Sequence, residues 1–166
     1  MRIRSLWLSV VACLAFPFAV SRAAVAESPP NAPAATYDAE LARRVGADER
    51  GMRKYVLVIL KTGAKRVPDG PERDAMFAGH FANMQRWAKA GQLAVAGPFS
   101  KDASGWRGLY VFSVDTVEAA RALVETDPVV QKGEMVPEFH DWYGTAAAML
   151  LPEWHERLVP PASKQP

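Results

Sequence analysis

The chain has 166 residues, and its 20 basic and 18 acidic side chains give a formal net charge of +2. This length suits one domain of ordinary size, and the charge balance lacks the basic excess that nucleic-acid binding requires. Cys13 is the single cysteine, so an intramolecular disulfide is excluded.

The first 26 residues are typical of a secretory signal peptide. Arg2 and Arg4 precede an apolar run from Leu6 to Val20, and small residues lead to Ala26. We therefore predict export, to the periplasm or outside the cell, after cleavage near Ala26. We expect no membrane insertion of the cleaved chain.

Two other interpretations of this leader remain open. The apolar run of ~15 residues could anchor the chain in a membrane, although a spanning helix needs ~20 residues. The segment Val10–Cys13 could be a lipid-attachment box, although the apolar run continues beyond Cys13. Cleavage would leave 140 residues without cysteine, and the loss of three arginines would leave 17 basic and 18 acidic residues. Thiol chemistry and a preference for nucleic acid would then both be excluded.

The rest of the chain divides by composition. Residues 27–36 are rich in proline and alanine and predict a flexible spacer. Residues 37–52 predict a helical extension, because Leu41 and Val45 lie four apart and Gly46 follows them. We place the folded domain at residues 53–148 and a C-terminal tail at residues 149–166.

Six elements are predicted within the domain from hydrophobic periodicity and from glycine and proline boundaries. In chain order they are strand 53–60, helix 71–90, strand 92–96, strand 106–114, a helix that starts at the cap residue Asp115 and ends before Pro128, and strand 136–143. The order βαββαβ indicates an α+β, ferredoxin-like fold with a four-stranded antiparallel sheet and two helices on one face.

The two strands expected at the centre of the sheet are apolar on both faces. Val56–Leu60 and Leu109–Phe112 show no polar alternation, so both faces need cover. Two helices cover only one face, and a second copy of the sheet is the simplest cover for the other. The pattern therefore predicts a homodimer. In a weaker alternative, the segment Thr145–Leu158 folds back over the open face.

His80 lies in the first long helix, at the edge of a predicted buried stripe. This stripe is formed by Phe77, Phe81, Met84 and Ala88, with Met76 and Trp87 alongside. His80 is either a structural histidine or a base, and a base needs a partner that holds one ring nitrogen. Asp127 could be this partner. Its position before a proline is also ordinary turn chemistry, and the two interpretations are compatible.

The fourth strand places Glu138, His140 and Trp142 on one face. This face is either a polar strand edge or part of a pocket at a dimer interface. With Phe99 and Trp106, we expect His140 and Trp142 to line a binding site for a small organic molecule.

Several features in combination resemble the YciI-like (YCII-related) family of the dimeric α+β barrel type. They are the apolar first strand, His80 in the first long helix, the segment Gly91–Pro98, and Thr126–Pro128 followed by Gly133. Residues 46–52 and 138–144 further resemble a secreted branch of that family. The resemblance implies a dimeric α+β barrel, an active-site pair that falls on His80 and Asp127, and small organic ligands.

Two functions remain open at this point. One is a small-molecule enzyme for proton transfer or elimination, with His80 as the base and Asp127 orienting it. The other is a non-catalytic module that binds an organic ligand in a cavity lined by Phe99, Trp106 and Trp142.

No phosphate loop or nucleophile elbow is present, so no cofactor is predicted. His80, His140 and a carboxylate could form a mixed metal site, but no typical ligand spacing occurs, and we predict no metal.

Overall fold

The structure is a computed structural model that describes residues 36–100 and 103–160. The predicted leader and most of the predicted spacer lie outside the described residues. Among the helices formed by the described residues, none has the length and apolar character needed to cross a membrane.

The predicted α+β, ferredoxin-like fold is confirmed. The four strands form one antiparallel sheet in the order β2-β3-β1-β4, with β1 and β3 at its centre. The elements, in chain order, are α1 (Ala39–Val45), β1 (Met52–Thr62), α2 (Pro71–Lys89), β2 (Leu93–Pro98), β3 (Trp106–Phe112), α3 (Val117–Val124), α4 (Pro128–Gln131), β4 (Met135–Thr145), a 3-10 helix (Ala146–Leu150) and α5 (Leu151–Leu158).

Two helix starts differ from the prediction. The cap of α3 is Thr116 rather than Asp115, because the Thr116 hydroxyl accepts the backbone N–H of Ala119 at 3.1 Å. The sequence predicts turn chemistry at Asp127 and no helix after it, whereas the structure has the short helix α4 there. This helix begins at Pro128, and Asp127 caps it by accepting the backbone N–H of Val129.

The main core lies between the helices and one face of the sheet. Alternate residues of β1 point into it, and they meet aromatic residues of β3 and α2. The largest fully buried members on this side are Trp87, Tyr110, Phe112, Leu60, Val56 and Val58. This packing fixes which face of α2 points inward.

The buried stripe of α2 agrees with the prediction at Met76 and Trp87 and differs from it elsewhere. Met76, His80, Asn83 and Trp87 are buried, whereas Phe81 is 53% exposed. His80 therefore lies in the middle of the inward face and not at its edge. The reason is that His80 and Asn83 form hydrogen bonds inside the protein, which allows these polar side chains to be buried. A prediction from hydropathy does not include such bonds.

The second face of the sheet is partly covered by the C-terminal segment. Ala148 of the 3-10 helix packs with Tyr55, Ala94 and Val111, and α1 packs against the 3-10 helix. The fold-back that we regarded as the weaker alternative therefore occurs at one end of this face. Further apolar side chains on the same face, among them Leu57, remain half-buried.

Candidate functional site

His80 and Asp127 contact each other inside the protein. Nδ1 of His80 lies 2.8 Å from Oδ2 of Asp127, and the two side chains are 9% and 0% exposed. His80 comes from the middle of α2, and Asp127 immediately precedes α4. The structure thus joins two residues that are 47 positions apart in the sequence.

The two oxygens of Asp127 have different partners. Oδ1 accepts the backbone N–H of Val129 at 3.2 Å and so caps α4, while Oδ2 faces His80. The turn-forming role and the pairing with His80 therefore occur together, as the sequence allowed.

Tyr110 is a third member of this cluster, and sequence reasoning missed it. Its hydroxyl oxygen lies 3.1 Å from Oδ2 of Asp127 and 3.2 Å from Nδ1 of His80. Burial raises the pKa of Tyr110 far above its ordinary value, and the charge and hydrogen bond of Asp127 raise it further. The hydroxyl is therefore a neutral donor. A buried tyrosine needs a partner for its hydroxyl, and this was the signal in the otherwise apolar stretch Leu109–Phe112.

The hydrogen bond to Asp127 selects one tautomer of His80. A carboxylate accepts hydrogen bonds and donates none, so the proton of a neutral imidazole resides on Nδ1. Nε2 then carries a lone pair, and no described residue is seen to hydrogen-bond to it. The His80 side chain is 9% exposed, and the lone pair of Nε2 can accept a proton.

Aromatic rings surround the imidazole of His80. The ring centroids of Phe77 and Phe81 lie 6.0 Å and 5.4 Å from that of His80, and both rings meet it edge-on. These apolar rings lower the local dielectric constant, so they strengthen the electrostatic interactions between His80 and a charged or polar group beside it.

His140 and Trp142 lie on the opposite face of the sheet from Tyr110. They pair across strands with Leu57 and Tyr55, and these alternate with the β1 residues that enter the main core. The structure therefore does not bring His140 or Trp142 to His80 within one chain. The mixed metal site that would need His80 and His140 together is not assembled within one chain either.

The polar residues of that second face form a chain of contacts. Nε2 of His140 lies 2.8 Å from Oε1 of Glu138, and Oε2 of Glu138 is paired with Lys61. The hydrogen bond from Lys61, followed by that of His140, lowers the pKa of Glu138 below its ordinary value. Beside them, the ring of Trp142 packs on Tyr55 at 5.3 Å.

The other two predicted ligand-binding residues, Phe99 and Trp106, contact each other. Their ring centroids are 5.2 Å apart, where β2 ends and β3 begins. Among residues 36–100 and 103–160, no ring contact between this pair and Trp142 is seen.

Two cavities lie near the predicted residues without containing His80. One has a volume of about 580 Å³ and lies between α2, β2 and α5, with Phe81 and Trp154 in its mostly apolar wall. The other has about 490 Å³ and includes Trp142 in its wall. Phe81 links the first cavity to the site, because it lines that cavity and contacts His80.

A second buried carboxylate, Glu134, was also missed from the sequence. Its Oε2 accepts the backbone N–H of Val67 at 2.7 Å, and its Oε1 lies 2.9 Å from Arg73. Arg107 lies further away, at 3.8 Å. Because Arg73 also donates to the Val67 carbonyl, this cluster fixes the loop between β1 and α2.

Comparison with known proteins gives a domain family and one similar solved structure. No curated protein matches the chain. Among solved structures it is similar to 5-chloro-2-hydroxyhydroquinone dehydrochlorinase (TftG) from Burkholderia phenoliruptrix AC1100, in complex with 2,5-dihydroxybenzoquinone. That similarity has 19% identity and a TM-score of 0.39, and it covers 52% of this chain and 92% of that one.

The family assignment comes from the domain itself. The YCII-related domain matches residues 53–140, which is more than half of the chain. The matched span contains both His80 and Asp127, and it agrees with the resemblance found in the sequence. The chain therefore belongs to the YCII-related domain family.

Proposed function

We propose that this protein is an enzyme acting on small organic molecules, with Nε2 of His80 as the proton acceptor. The observation that supports this is the 2.8 Å contact of Nδ1 with a fully buried carboxylate, which leaves the lone pair of the neutral imidazole on Nε2. A histidine held in this way has a fixed ring orientation and one free lone pair. These are the requirements of a general base.

The proposed chemistry is proton transfer or elimination. Nε2 removes a proton from the substrate, and the charge of Asp127 stabilises the imidazolium that forms. In an elimination, the electron pair of the broken C–H bond forms the new double bond, and the leaving group departs with its own bonding pair. The imidazolium then returns its proton to solvent or to the leaving group.

A ligand screen followed by turnover measurements tests this function. Small organic molecules that raise the melting temperature of the 27–166 chain are assayed for conversion. His80→Gln should lower kcat/KM for a converted molecule by ~10²–10⁴-fold. Lys89→Gln, at the exposed end of the same helix, is the control and should keep full activity. Unchanged turnover in His80→Gln would remove His80 from the mechanism.

The second candidate is a non-catalytic binding module, and the cavity of about 580 Å³ favours it. Its volume lies within the usual range for small-molecule sites, and its wall is mostly apolar. Under this alternative, Phe81→Ala and Trp154→Ala should each weaken ligand binding, His80→Gln should not, and no ligand should be converted.

We further propose that the chain is exported and that it forms a homodimer through the second face of the sheet. The leader pattern supports export, and the half-buried Leu57 on that face supports self-association. Mass spectrometry of the protein from its producing cell should find Glu27 at the N terminus. A retained Met1 or a lipidated Cys13 would contradict the assignment of the leader.

A further inference from the structure

We propose that Tyr110 is a positioning residue that tunes His80 through Asp127, an inference that rests on the function proposed above. Two donors converge on one atom, Oδ2 of Asp127. Nδ1 of His80 lies 2.8 Å from it and the Tyr110 hydroxyl 3.1 Å from it. The carboxylate charge that orients His80 is therefore shared with Tyr110.

The hydroxyl of Tyr110 is held in place by packing. Tyr110 is 2% exposed, and its ring meets Trp87 and Phe112 edge-on, with centroid distances of 5.8 Å and 5.4 Å. The ring cannot turn away without opening the core, so the hydroxyl stays directed at Asp127. Because Tyr110 remains neutral, its single proton is always available for this bond.

Because Tyr110 shares the Asp127 carboxylate with His80, it changes the protonation of His80 in a definite direction. A donor on Oδ2 withdraws part of the negative charge that would otherwise stabilise the imidazolium. Among the described residues, the titratable groups in contact with His80 are Asp127, before α4, and Tyr110, on β3. Tyr110 therefore favours the neutral form of His80, in which Nε2 is ready to accept a proton.

A purely structural tyrosine would behave differently. It would stabilise the core and the buried carboxylate, and its loss would lower the free energy of unfolding. It would not move the titration of His80 in a particular direction, so that titration separates the two roles.

The test is NMR of the imidazole nitrogens in protein labelled with ¹⁵N-histidine, and it requires no substrate. His80→Gln assigns the His80 signals. In Tyr110→Phe the midpoint of the His80 titration should rise by about half a pH unit to one pH unit, the size expected for one lost hydrogen bond. Tyr55→Phe is the matched control. Tyr55 is equally buried and donates to the Thr145 carbonyl on the other face, so the midpoint should stay at the wild-type value.

A second measurement works even if Tyr110→Phe does not fold. Replacing the tyrosines by 3-fluorotyrosine makes the hydroxyl a stronger donor, and it should move the His80 midpoint downward. A midpoint that stays unchanged under either replacement would overturn the role of Tyr110. If His80→Gln keeps full turnover while the midpoint still moves, the proposed function fails and the coupling stands. If His80→Gln loses turnover while the midpoint stays unchanged, the proposed function stands and only the role of Tyr110 is removed.

Discussion

Gly79 and Pro128 are packed so closely that a Cβ atom on Gly79 would lie 2.9 Å from Cγ of Pro128. These residues adjoin the catalytic candidates, since Gly79 precedes His80 and Pro128 follows Asp127. The close approach of α2 and α4 is thus what allows His80 to reach Asp127. A glycine at this point costs helix stability but leaves room for the contact.

Gly79→Ala tests this relationship. Alanine is favoured over glycine within a helix by about 1 kcal/mol, so a site with free space would be stabilised. Here α4 has to move instead, and we expect a lower free energy of unfolding and a perturbed His80 imidazole spectrum. Urea denaturation and ¹⁵N-histidine NMR measure the two effects.

The control for this variant is Ala78→Gly, at an exposed neighbouring position of α2. It should cost about 1 kcal/mol and leave the His80 spectrum intact. A Gly79→Ala protein that is more stable than the wild type, with an unchanged spectrum, would show that the close packing has no role in the pair.

The stability of His80 variants should reflect its buried position. An edge position would predict a loss of no more than ~1–2 kcal/mol. In the structure, His80→Ala removes a donor from a fully buried carboxylate, and we expect a loss of about 2–3 kcal/mol. Glutamine can still donate a hydrogen bond, so His80→Gln should lose less. Thermal and urea unfolding compare them, and equal losses would argue against the hydrogen bond as the cause.

The sequence predicted the fold, and it predicted that β1 and β3 are the two central strands of the sheet. Both predictions have physical reasons. The apolar run of each strand, the break at Gly91 and the two-sided apolar character of β1 and β3 were local signals, and the structure agrees with them. The hydrophobic period of α2 predicted a helix there but not all of its buried face. The proximity of His80 and Asp127 came from the family resemblance. Local periodicity could not predict this proximity, because the contact depends on how α2 and α4, which are far apart in the sequence, pack against each other.

Other features required the tertiary structure. Tyr110 reads as one more apolar residue of β3 until its hydroxyl is seen beside Asp127. Asn83 reads as a surface residue of α2, yet its amide donates to the Thr126 carbonyl inside the protein. Such bonds join residues that are far apart in sequence, and no residue period encodes them.

Glu134 should make the protein sensitive to acid. Burial raises the pKa of Glu134, but the hydrogen bonds from Val67 and Arg73, together with the charges of Arg73 and Arg107, outweigh this and leave the pKa lowered. A carboxylate with a lowered pKa in the folded state stabilises the fold above its unfolded pKa, and this contribution disappears as the pH falls through the folded value.

The corresponding variant is Glu134→Gln. At neutral pH it should lose about 1–3 kcal/mol of stability, and the difference from wild type should shrink as the pH falls below the ordinary glutamate value of 4.5. Glu153→Gln is the control, because Glu153 forms an exposed pair with Arg44. Its difference from wild type should stay small at every pH. A pH-independent loss in Glu134→Gln would contradict the role of its charge.

The proposed dimer can be tested on the second face of the sheet. We expect light scattering after size-exclusion chromatography to give the mass of two copies of the 27–166 chain at micromolar concentration. Leu57→Lys should give one copy, because it places a charge on the apolar face. Ala82→Lys, on the exposed side of α2, should remain a dimer. A monomeric wild-type chain would end the proposal.

The outer strands of the sheet carry prolines, and this limits how copies of the chain can associate. Pro98 ends β2, and Pro137 lies within β4, opposite Leu60. A proline offers no N–H, so neither edge presents an unbroken row of donors to another strand, and the exposed carboxylate of Asp141 repels a second copy of β4. These features oppose fibre-like growth from edge to edge, and they leave the face of the sheet as the surface for the dimer proposed above.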